Sequence, residues 1–178
     1  AGGAISIGTI SAASGSRDIS ITSSGGSANT VAVGAIGGSG NINTVAITSG
    51  TLTTLNGNIT TDNSSGNSVT LVGTTTNGAN ITIDTDNNSN DGAINIAAFS
   101  GSNNNLVLNS GTAEITLSGA AFNLGSGSLT TTGDINLAAN VSITATGGMT
   151  INDKIDADSA SSNDRTLTLN SGTGATMT

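Results

Sequence analysis

A three-residue unit, apolar–small polar–apolar, recurs along this chain and constrains its fold more than any other feature. Val45-Ala46-Ile47 shows it most plainly. Its relatives are Ile19-Ser20-Ile21, Val69-Thr70-Leu71, Ile94-Asn95-Ile96, Ile115-Thr116-Leu117, Val141-Ser142-Ile143 and Leu167-Thr168-Leu169. Their first positions are separated by 26, 24, 25, 21, 26 and 26 residues. Alternation within the unit describes a strand with one buried face. The regular step makes each copy one coil of a stack. The expected fold is all-β, a parallel β-helix (β-solenoid) of about seven coils of about 25 residues. It is expected as a single segment over 1–178.

A second, looser series falls roughly half a step away: Ile5/Ile7, Val31/Val33, Ile59, Ile81/Ile83, Leu106/Leu108, Leu129 and Met149/Ile151. A third apolar position often follows a small residue, as at Ile10, Ile36, Leu52, Phe99 and Phe122, so a roughly triangular section is expected. The polar stretches Asn56 to Gly66, Asp84 to Gly92 and Asn152 to Asp164 break the period and read as corner loops. The chain has no proline, so every backbone N–H is free to donate to the rung above or below. Neither terminus shows an amphipathic cap or a cluster of charges. The expected segment is therefore uncapped, and is either continued by further coils or stacked on another copy.

Composition narrows the function classes. Aromatic residues make up 1%, so burial must come from many aliphatic contacts in a long thin core. Without His or Cys there is no imidazole or thiol for Ser-His-Asp, Cys-His or zinc chemistry, and no disulfide framework. A net charge of −8 with three basic residues offers little to neutralise phosphates, which disfavours nucleic acid as a partner. No stretch approaches the length of a membrane span.

Runs such as Gly133-Asp-Ile-Asn-Leu-Ala-Ala-Asn-Val-Ser-Ile-Thr144 and Ile5-Ser-Ile-Gly-Thr-Ile10 resemble the repeats of filamentous-haemagglutinin-like bacterial exoproteins. The resemblance covers nearly the whole chain and is one of repeat style. It implies a right-handed β-helical shaft of a secreted or cell-surface adhesin. Partners would be other copies of the chain, and a host or neighbouring-cell surface. The Asn-Pro-Asn-type signature of the secretion domain is missing, so the chain would be shaft rather than export module.

Two clusters invite a site reading. Asp84, Asp86, Asn88 and Asp91 alternate carboxylates and amides, which can gather hard oxygen ligands around calcium. Ser89 stands where an EF-hand needs its turn Gly, so the plainer reading is a polar turn. Lys154 and Arg165 lie near Asp153, Asp156, Asp158 and Asp164, the kind of mixed cluster that carbohydrate-active β-helices use. A solvated corner with local ion pairs explains it more simply. No catalytic residue and no other cofactor is assigned.

The outward row Ser20, Ala46, Thr70, Asn95, Thr116, Ser142 and Thr168 is small and uncharged, suited to close packing against another rod. Ice or a glycan is the alternative ligand for such a face. The function expected is a non-enzymatic structural segment of an extracellular bacterial fibre or adhesin shaft that associates end to end. The alternatives are a carbohydrate-active β-helix and an ice- or glycan-binding solenoid.

Overall fold

A computed structural model describes residues 3–13, 16–25, 29–38, 42–62, 66–87, 90–101, 103–157 and 164–172, with the backbone alone for 175–177. Every regular element among these residues is a strand, 21 in all, and no helix occurs. The strands stack in parallel as a β-solenoid of about six coils, with one small antiparallel hairpin projecting from it. At about 4.8 Å per rung, six coils make a rod roughly 29 Å long.

Each coil passes through three columns of strands, and every column turns alternate residues inward as ladders. On the first face the ladder runs Ile19, Val45, Val69, Ile94, Ile115, Ile135, Ile155. On the second it runs Ile5, Val31, Thr53, Thr75, Phe99, Phe122, Ile143, Leu169. On the third it runs Ile10, Ile36, Ile59, Ile83, Leu108, Thr131, Ile151. The first two faces merge in the long strands Asn67–Asn77 and Ala93–Phe99, which cross from one to the other. Gly73 makes that crossing possible at φ 95°, because a Cβ there would lie 2.4 Å from the Ser49 carbonyl oxygen of the coil below.

The core is aliphatic. Val69, Ile94, Ile96, Ile115 and Ile143 are all fully buried, and each such side chain contributes about 1.5–3 kcal/mol over its exposed state. Phe99 and Phe122 stack in successive coils with ring centroids 5.1 Å apart.

The register corrects the sequence reading in three places. Val141 and Leu167 do not continue the ladder above Ile115; they belong to the second face, and Ile135 and Ile155 take those rungs of the first. Ile5/Ile7 and Val31/Val33 also lie on the second face, not with Ile81 and Leu106 on the third. The same triplet serves any face because all three bury alternate residues, so the seven triplets are not one column; the seven rungs of the first face span about six coils, against the seven expected. Within two of the expected loops, Ile59–Thr60 and Ile155–Asp156 are strands that keep the ladders unbroken.

Candidate functional site

The corner at which each coil turns from the third face back to the first gathers most of the charge. Asp18, Asp62, Asp84, Asp86, Asp91, Glu114, Asp134, Asp153 and Asp156 lie at or beside it, 9 of the 11 Asp and Glu in the chain. Strand pleating explains this placement, since residues flanking a buried ladder at a turn face water, where a carboxylate keeps its hydration.

The hairpin of Asp86–Asn87 with Asn90–Asp91 projects here and pairs Asp86 opposite Asp91. Asp84 accepts from the Asp86 N–H at 3.1 Å and from Asn109 Nδ2 at 3.1 Å. Asp91 accepts from the Thr112 N–H at 2.9 Å and from the Thr112 hydroxyl. Asn90 Nδ2 donates to Asp62 Oδ1 at 2.6 Å, tying the hairpin to the coil below. Gly111, at φ 60°, lies directly against the carboxyl pair. A Cβ there would come within 2.4 Å of Asp91 Oδ1 and 3.0 Å of Asp86 Cγ.

The two facing carboxyls divide their roles. The Thr112 hydroxyl, then the Thr112 N–H and Asp86, hold Asp91 below the usual carboxylate range. Asp86 is pushed up, first by the hydrogen bond it shares with Asp91, then by burial and by the charge of Asp91. Of the two, Asp86 is thus the carboxyl that takes up a proton first as pH falls.

Three of the four expected calcium ligands, Asp84, Asp86 and Asp91, are brought together by this hairpin; Asn88 lies outside the described residues. Among the described residues no group of three or more acidic, His or Cys side chains is placed to hold a metal ion. The carboxylates are engaged in hydrogen bonds that staple one coil to the next.

Further along the same corner, Lys154 Nζ pairs with Asp134 Oδ2 at 3.0 Å, and Asp134 first, then Asp156 and Glu114, raise the lysine pKa. Thr112, Glu114, Asp134, Asn136, Lys154 and Asp156 line a groove of about 240 Å³ around that pair. The mixed cluster expected around Lys154 is therefore built differently. Its principal partner is Asp134, Asp158 lies outside the described residues, and no ion pair joins Lys154 to Asp164. Glu114 and Asp134 were missed in the sequence. Their signal is a step of 20 residues through 114, 134 and 154, the local coil length on the first face.

The outward row of the first face differs from the expectation in its last two members, which are Asn136 and the charged Asp156. Ser20, Ala46, Thr70, Asn95 and Thr116 stack there, whereas Ser142 and Thr168 belong to the second face. Val72, at 46% exposure, is the one exposed large hydrophobic among the described residues.

Comparison with protein-family models, with curated proteins and with solved structures gave no match. The class the fold defines is the β-solenoid, a repeat protein whose coils contact only their neighbours. No helix among the described residues is long and apolar enough to cross a membrane.

Proposed function

We propose that this chain is a structural segment of an extracellular bacterial fibre or adhesin shaft, associating end to end. The observation that carries the reading is the continuity of three parallel ladders from the first coil to the last. Tension along such a rod is shared by rows of inter-coil hydrogen bonds over a dry aliphatic column, so reach grows with coil number at no cost in stiffness. The repeat style that resembles filamentous-haemagglutinin-like exoproteins supports the same reading. Parallel rungs propagate: each edge is satisfied by another coil, whether of the same polypeptide or of a second copy. A head-to-tail contact of this kind does not close, and it generates filaments. The flat outward row of the first face suits lateral packing of one rod on another.

Electron microscopy and light scattering of the purified chain test this directly. Unbranched filaments whose length rises with concentration are expected. A stable monomer at high concentration would remove end-to-end association. A carbohydrate-active solenoid is the second reading, and the groove around Lys154 and Asp134 is what favours it. Turnover of a polysaccharide that Asp134→Asn and Glu114→Gln both abolish would establish that reading in place of the first.

A further inference from the structure

We infer that the second face holds a compliant seam, at the junction between Leu52–Leu55 and the rear of Asn67–Asn77, where the solenoid opens locally ahead of its other interior ladders. The inward ladder of this face is apolar at Val31, Phe99, Phe122 and Ile143, but Thr53 and Thr75 interrupt it. These two threonines are direct partners across the junction. Both are buried, and neither hydroxyl has a hydrogen-bond partner. At the next inward position Leu55 faces Asn77, which is buried and donates its Nδ2 to the Asn105 carbonyl of the following coil, away from the junction. Thr61, at the end of the third-face strand of the same lower coil, has a third buried hydroxyl without a partner, and its N–H donates to the Asp84 carbonyl of the next coil at 3.0 Å. Two of the four such hydroxyls among the described residues therefore face each other across the second-face junction, and Thr61 lies between the same two coils; the fourth is Thr131.

A buried hydroxyl without a partner forfeits the hydrogen bonds it makes in water, and local opening returns them. In a stack whose stability is a sum over neighbouring coils, the weakest contact is where opening begins. The flanks are tighter. Val31 and Val33 lie below, and the stacked Phe99 and Phe122 lie above. On the first face the same junction is closed by Val45 on Val69 and Ile47 on Leu71. Opening confined to one face makes the junction a flexing point of the rod, not a break. The inference holds whether or not the rod serves as a shaft.

Native-state hydrogen exchange on the intact chain tests it. The seam amides, including the Gly78 N–H bonded to the Leu55 carbonyl, should exchange at least about tenfold faster than those of Leu106–Asn109 and Ile94–Ile96. The isosteric double change Thr53→Val with Thr75→Val should slow the seam by about tenfold or more, leaving first-face amides at Val69–Leu71 unchanged. Thr131→Val, on another face, should leave the seam as it was. Seam amides no faster than the other ladders, a double variant without slowing, or an equal response to Thr131→Val would each overturn the inference.

Discussion

A carboxylate at Val69 or Ile94 would be enclosed by aliphatic side chains on the rung above and the rung below. Both positions are 0% exposed, and every ladder neighbour of either is Val or Ile. With no partner to accept its charge, an isolated buried carboxylate costs several kcal/mol even after neutralising itself. Val69→Asp and Ile94→Asp are therefore expected to lower stability by more than about 4 kcal/mol, in the range of the severest point changes. Thermal melts followed by circular dichroism check this, and a parental melting curve for either variant would show the ladder assignment to be wrong. These residues were legible in the sequence because alternation alone places them inside. Thr53 and Thr75 were not: outward rows are also rich in Thr, and only the ladder partner shows which side a given Thr faces.

At the scale of the element, the hairpin of Asp86–Asn87 with Asn90–Asp91 governs the response to acid. Asp91 has a lowered pKa, so its contribution is present above the ordinary carboxylate value and is lost as pH falls through the folded-state pKa. Asp86 has a raised pKa, so its contribution is complete below the unfolded-state value and is lost as pH rises through the folded-state pKa. The pair holds together best with one proton, in mild acid. Asp86→Asn, which carries a permanent N–H donor, is expected to raise the melting temperature at neutral pH and to flatten its decline from mild acid to neutrality. An unchanged pH profile would show that the two carboxyls do not share a proton. Because Asp84 and Asp91 already accept internal donors, a chelator is expected to leave the melting temperature unchanged. A drop on chelation that Asp84→Asn with Asp86→Asn removes would instead place calcium at the hairpin. The sequence suggested an oxygen-rich turn here. The antiparallel pairing of its two acids, and Gly111 packed against them, came only from the next coil folding over the hairpin.

Taken whole, the molecule is a rod with its charge along one edge. Nine of its eleven acids follow the corner between the third and first faces, on rungs spaced about 4.8 Å apart. That spacing is well inside the Debye length of about 10 Å at 0.1 M salt, so the acids repel one another along the rod. The exposed Lys154–Asp134 pair relieves little of this. Raising salt from low to physiological ionic strength is expected to increase the melting temperature, and a salt-independent value would mean that the edge is already neutralised.

The sequence by itself determined that the chain is all-β, that its strands stack in parallel with a step near 25 residues, and which side of each triplet is buried. Alternation and period are local properties, and burial of aliphatic residues against identical neighbours leaves no other arrangement as favourable. Only the tertiary structure decided which face each triplet occupies. Coil length varies from 26 residues between Ile19 and Val45 to 20 between Ile115 and Ile135, and a triplet carries no mark of its face. The acidic edge and the polar seam follow from that same register. Glu114, Asp134 and Lys154 look scattered along the chain, as do Thr53 and Thr75, until the accumulated lengths of the corners bring each set into adjacent rungs.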